Sequence, residues 1–266
     1  MIFLCPIKQT ELTVNKENSY RFSHILLDMG EKMLCSGAEI NRVEENILKI
    51  GNCYDIKEIS AFVIPSVITV TLRTGDEFEI TQTRRIKPQS IAVNLKRLEK
   101  LNDVCHRCRD ESFSLDELYT LINESDKPVS FVRFLLGSML AASSFTVFFG
   151  GTFIDGIVSA LLAVIVCLLQ RKASPIIGNR IIFTFICALI IGLVSGLTSS
   201  YIDFFNNDKV IIGNIMLIVP GVAFTVSVRD IILEDTISGV LKLIDSLFLT
   251  GGMALGILVS FLLRGV

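Results

Sequence analysis

The residues predict an α+β domain in the order α-α-β-β-β-α-α over 1–127, followed over 128–266 by an all-α membrane bundle of five transmembrane helices. Three observations carry this. Of the 52 charged side chains, 37 lie at or before Lys127 and only 15 follow. Mean hydropathy is +0.59 with 20% charged residues, too apolar for an ordinary water-soluble chain of 266 residues. The segment after Pro128 also contains five windows of about 20 apolar residues, the length a helix needs to cross a bilayer.

The polar part reads in order. Tyr20–Cys35 has helical apolar spacing at Phe22, Ile25, Leu26, Met29, Met33 and Leu34. Ser36-Gly37-Ala38-Glu39 predicts a break and restart, with Ser36 as N-cap and Glu39 completing a capping box. Ile40, Val43, Ile47, Leu48 and Ile50 continue an apolar face, and Gly51 stops it. Strands follow at Ile59–Ile64 and Val67–Arg73, flanking Pro65-Ser66. Thr74-Gly75-Asp76 then turns the chain into Glu77–Thr83. Pro88 opens a helix to about Arg109 with Ile91, Leu95, Leu98, Leu101 and Val104 inward, and Ser114 with Glu117 caps a last helix to Asn123.

The membrane windows are Phe131–Phe149, Phe153–Gln170, Ile181–Ser199, Val210–Val228 and Leu243–Leu263. With the N-terminus taken as cytoplasmic, the inner flanks hold Lys127, Arg133, Arg171, Lys172, Arg180, Arg229 and Lys242. The outer flanks hold only Lys209 and Arg264. This asymmetry predicts a cytoplasmic N-terminal domain and an outside C-terminus. Met1–Lys8 starts apolar but lacks the basic region and cleavage site of a signal peptide.

Small residues four apart predict close helix approach at Gly137/Ala141, Gly156/Ala160, Gly192/Gly196 and Gly252/Gly256. Two acids fall inside spans: Asp155 near the outer end of the second and Asp245 near the inner end of the fifth. Each is either solvated at the interface or part of a pathway. Pro220-Gly221 lies in the middle of the fourth window. It reads as a simple kink, or as a broken helix whose freed N–H groups face an anion.

Other chemistry is sparse. The 17 Lys and Arg against 20 Asp and Glu before Pro128 leave no nucleic-acid footprint. Cys105-His106-Arg107-Cys108 stands on an amphipathic helix with no second CxxC, so a partly buried thiol pair is expected rather than a metal site. No glycine-rich phosphate loop, nucleophile elbow or HExxH occurs, and neither a cofactor nor a metal is expected.

Two segments carry a family resemblance. Met29-Gly30-Glu31-Lys32-Met33-Leu34-Cys35-Ser36-Gly37-Ala38-Glu39-Ile40-Asn41-Arg42-Val43-Glu44-Glu45 resembles the N-terminal signature G-x-x-L-x-x-S-G-A-x-x-x-R-V-E of the threonine/serine exporter (ThrE) family. Val219-Pro220-Gly221-Val222-Ala223-Phe224 with Arg229-Asp230 and Ser238-Gly239 resembles its membrane signature. Full-length members carry about ten spans. This five-span chain is therefore similar to the split form, one half of a two-subunit system linked to succinate export.

The resemblance implies an efflux transporter subunit, not an enzyme, that works with a second small multi-span subunit as an oligomer in the cell's inner membrane. Its solute would be threonine, serine or a dicarboxylate. Pro220 and Gly221 would offer backbone N–H groups to a carboxylate, Arg229 and Asp230 would act at the inner mouth, and Asp155 and Asp245 would carry protons or gate. Gly30, Glu31, Ser36, Gly37, Glu39, Arg42 and Glu44 form the cytoplasmic motif. The competing readings are a membrane-anchored sensor and an enzyme whose activity lies in the first 127 residues.

Overall fold

The computed structural model describes residues 16–54, 56–74, 78–87, 94–125, 130–199, 201 and 205–265. By contacts the chain divides into two units. One combines the described part of Met1–Lys127 with Val226–Leu241; the other combines Pro128–Thr225 with Lys242–Val266.

In the first unit, helices α1 (Lys16–Cys35) and α2 (Ile40–Gly51) precede a three-stranded antiparallel sheet, β1 (Glu58–Ile64), β2 (Val67–Arg73) and β3 (Glu79–Arg85), in the order β1-β2-β3. Helices α3 (Leu95–Asp110) and α4 (Leu115–Glu124) follow. The sheet alternates as a one-sided sheet must. Val63, Ile68, Val70, Leu72 and Ile80 are buried. On the other face Phe62 is exposed, and Thr69 and Thr71 meet Thr83 and Thr81 hydroxyl to hydroxyl at 3.1 and 3.0 Å. Helix α1 packs Leu26, Met29 and Met33 into the core with Ile40, Val43 and Ile47 of α2. Arg84 of β3 ties the sheet to α1 through Asp28 and Glu31.

Three expectations need correction. The third strand starts two residues late, because the turn is a longer loop closed by the Thr74 N–H donating to the Phe78 carbonyl at 3.1 Å; Gly75 and Asp76 lie outside the described residues. Helix α3 starts at Leu95, with the Asn94 side chain accepting the Arg97 N–H at 3.1 Å; Pro88 and Ile91 lie outside the described residues. Leu95, expected inward, is 70% exposed. As the first helical residue its side chain leans back past the N-terminus, off the packed face.

Across the chain's apolar part run α5 (Phe131–Phe148), α6 (Phe153–Lys172), a single turn α7 (Ser174–Ile177), α8 (Arg180–Ser199), α9 (Asn207–Ile215), α10 (Gly221–Ile232) and α11 (Thr236–Arg264). Four of these, α5, α6, α8 and α11, are long and apolar enough to cross a membrane. The fourth expected window is not one kinked helix. Its i→i−4 ladder stops where Val219 N–H donates to Ile215 and restarts where Phe224 N–H donates to Pro220.

The second unit is patterned inside out relative to a water-soluble bundle. Leu136, Leu140, Phe153, Ile157, Leu161 and Leu197 are exposed, while Thr146, Ser159, Ser195, Asn214 and Ser260 are fully buried. That is the distribution lipid selects, because a polar group facing hydrocarbon finds no partner there. The chain is an integral multi-pass membrane protein.

The small-residue faces mostly meet neighbours. A Cβ added at Gly156 would stand 2.9 Å from Ser143 Oγ of α5. Gly192 and Gly196 lie against Ser260 and Arg264 of α11, while Gly252 and Gly256 of α11 lie against Ile181 and Phe185 of α8. The paired numbers rise together, so α8 and α11 run parallel. Gly137 is the exception, with nothing among the described residues within 4 Å of an added Cβ.

Candidate functional site

The motif of the first unit begins as a helix terminator. Gly37 has φ 90°, a left-handed conformation glycine adopts without strain. Its N–H donates to the Leu34 carbonyl at 3.0 Å and the Ala38 N–H donates to Met33 at 3.1 Å, the paired bonds of a Schellman end. The Ser36 hydroxyl donates back to the Lys32 carbonyl at 2.6 Å. This corrects the expected Ser36–Glu39 capping box: Ser36 closes α1, and Glu39 stands as the N-cap of α2 without a side-chain cap bond.

The Glu39 carboxylate goes elsewhere. Arg229 Nη1 donates to Glu39 Oε1 at 2.6 Å, joining the two signature segments inside the first unit. Glu44, one turn along α2, accepts the Val63 N–H at 2.8 Å and so fastens the helix to β1. Gly30 lets Ile68 and Ile47 close on α1; an added Cβ would meet their Cδ1 atoms at 3.0 and 3.2 Å. Glu31 serves Arg84, and Arg42 is exposed.

Within Val226–Leu241, Asp230 is buried and α10 ends in a second Schellman pair. Glu234 N–H donates to Ile231 at 3.2 Å and Asp235 N–H to Asp230 at 2.9 Å. Here the left-handed position is held by Glu234, at φ 71°. The Ser238-Gly239 pair is explained by approach: a Cβ on Gly239 would lie 2.8 Å from both the Ile231 nitrogen and the Ser227 carbonyl oxygen.

Burial raises the Glu44 carboxyl above its usual range, and the Asp235 carboxylate adds to this against the Val63 bond. The folded state thus holds that proton to higher pH than the unfolded chain does. Stability contributed by Glu44 falls as pH rises from the ordinary carboxyl range through the raised value. Glu44→Gln keeps an oxygen for the Val63 N–H and removes the half-buried charge. The variant is expected to melt above wild type at neutral pH, with the advantage vanishing in acid below the usual Glu range. Thermal unfolding across that pH range checks it, and equal melting at every pH would refute it.

Cys105 and Cys108 are both buried, as expected of a thiol pair in the core. Burial pushes the Cys105 thiol up to about 12, and its Sγ lies 3.6 Å from Met29 Sδ. Cys108 is raised by its contact with Cys53 and by burial. No group of three His, Cys, Asp or Glu converges among the described residues.

In the second unit Asp155 is a fastener. With Thr152 it forms the capping box that starts α6. Its carboxylate also accepts the Asn206 backbone N–H at 3.1 Å and the Asn206 side-chain amide at 2.8 Å, anchoring the start of α9. Asp245 is exposed on α11 and does not meet Asp155's network. Pro220 is half-buried, and Gly221 has nothing among the described residues within 4 Å of an added Cβ.

The feature a scan for charge passes over is neutral. Thr146 of α5 and Ser159 of α6 lie 2.8 Å apart, hydroxyl to hydroxyl. Asn214 of α9 donates to Ser159 Oγ at 2.9 Å and to the Val210 carbonyl at 3.0 Å. The available signal was Asn214 itself, an amide in an otherwise apolar window one residue after Gly213. Gly213 lets α9 close on α5, where an added Cβ would meet the Ala142 oxygen at 2.8 Å. Beside the break, Ile215, Val219, Met253, Ile257 and Phe261 line an apolar hollow of about 460 Å³.

Residues 24–263 match the ThrE family model, described as "Putative threonine/serine exporter". Over 251 residues the chain is 22% identical to the "Probable threonine/serine exporter" of Mycobacterium tuberculosis, covering 91% of this chain and 46% of that relative. The chain thus spans about half the length of the curated relative it matches. No solved structure matches.

Proposed function

The chain belongs to the threonine/serine exporter family, and from that premise we propose that it is a subunit of an export system for a small carboxylate-bearing metabolite. The family is one of exporters, not enzymes. The observation that carries the proposal is the broken helix at the family signature. Residues 217–220 separate α9 from α10; the Gly221 N–H donates to the Val219 carbonyl at 2.8 Å, and Val222 and Ala223 follow in the first turn of α10 with N–H groups that have no preceding helical carbonyl to use. Such backbone in a bundle persists where protein, water or ligand completes its bonds, and a half-helix N-terminus favours a carboxylate.

In this reading α9, the break and α10 make one crossing, giving five. The α+β domain lies in the cytoplasm, Val266 lies outside, and the membrane is the cell's inner one. The distribution of Lys and Arg supports that orientation. A phosphatase fused to the C-terminus is expected to be active and a fluorescent protein dark; the reverse would remove the five-crossing topology. The partner in this reading is a second multi-span subunit, as the resemblance to the split form implies. Threonine and serine, named for the relative, and succinate are the solutes to test. Counterflow of each labelled compound in liposomes, with and without a five-span partner, tests the function. No counterflow of any of them in either preparation would reject it.

A further inference from the structure

We propose that Thr146, Ser159 and Asn214 form the solute site of the membrane unit, and that the solute they take carries a protonated amine; this rests on the export reading above. Three helices bring these residues together, and each is 0% exposed. The cluster offers four hydrogens: one on each hydroxyl and two on the Asn214 amide. All four have acceptors nearby. The Thr146 hydroxyl lies 2.9 Å from the Ala142 carbonyl oxygen, the two hydroxyls lie 2.8 Å apart, and the amide serves Ser159 and Val210. What is left over is an acceptor, Asn214 Oδ1, buried with no hydrogen-bond partner among the described residues. Turning the amide over would give Oδ1 the Ser159 hydroxyl but take the donor from the Val210 carbonyl.

The cluster is therefore short of a donor. A buried carbonyl oxygen left so is unfavourable, the more so in a membrane. A dicarboxylate at neutral pH brings oxygens and no donor, whereas an ammonium group brings three hydrogens and a positive charge. The surroundings favour that charge. Asn214 lies in the last turn of α9, at the negative end of its dipole, and Asp155 stands one turn before Ser159 on α6. In this conformation the site is closed. Asn214 is next to the last residue of α9, so a shift at the following break moves it directly.

Binding of tritiated L-serine to the purified full chain in nanodiscs tests this without any transport step. L-serine methyl ester, which keeps the amine, is expected to compete; N-acetyl-L-serine and succinate, which lack it, are not. Asn214→Leu is expected to weaken binding by about tenfold or more. Asn214→Asp, which keeps the acceptor, is expected to retain it, so that a folding defect in one variant does not decide the result. Competition by succinate or N-acetyl-L-serine equal to the methyl ester's, unchanged binding by Asn214→Leu, or no binding by wild type would overturn the proposal. The cluster would then be helix-to-helix glue around a water. Serine bound through Asn214, with no counterflow of serine, threonine or succinate in either preparation, would leave the site standing and reject the export reading.

Discussion

Joining α9 to α10 is expected to stop export while leaving the protein in the membrane. The double variant Pro220→Ala, Gly221→Leu supplies the missing N–H at 220 and removes two residues that disfavour helix by about 3 and about 1 kcal/mol relative to alanine. Leucine fits at 221 because nothing lies within 4 Å of an added Cβ there. Residues 217–220 then have reason to become helical, closing the ladder between Ile215 and Phe224. The Val222 and Ala223 N–H groups acquire helical carbonyl partners and are lost to a solute. Flux in reconstituted vesicles is expected to fall about tenfold or more, with membrane abundance near wild type. Wild-type flux from the straightened variant would mean that the break is structural and that the solute is handled elsewhere.

Gly239→Leu is expected to have the largest effect on stability. The Cβ at 239 would approach the Ile231 nitrogen and the Ser227 oxygen to 2.8 Å, and both are backbone atoms that cannot swing aside. The first turn of α11 must therefore lift from α10, exposing Ser227, which is now fully buried. Overpacking of this kind costs about 2 kcal/mol or more. Gly137→Leu is the matched control, since open space surrounds Gly137. Thermal melts of the two purified variants should separate clearly, Gly239→Leu low and Gly137→Leu at wild type. Equal melting would show that the approach at Gly239 is easily relaxed.

Much of the fold was legible because it follows from local pattern. The apolar stripes of α1 and α2, the Ser114–Glu117 capping box and the four long apolar helices are written in spacing and residue type. Errors came where two local signals compete. Ser36-x-x-Glu39 fits a capping box, yet Gly37 one residue later also fits a helix end, and the Schellman pair prevailed because it satisfies two orphan carbonyls. At the candidate site, Pro220-Gly221 announced itself by residue type. Asn214, Ser159 and Thr146 did not, since a neutral polar residue in an apolar window reads as helix packing until its partners are known.

Composition and periodicity alone determined that a charged α+β segment precedes a lipid-soluble one, because burying or exposing apolar area depends on which residues are present and how they repeat. Tertiary structure decided which polar groups meet. Glu39 and Arg229 are 190 residues apart in the chain and 2.6 Å apart in the fold. Asp155 is turned into an anchor by Asn206, 51 residues away. Hydrogen bonds and ion pairs act over a few ångströms, so their partners are set by packing over long stretches of chain, which no local window contains.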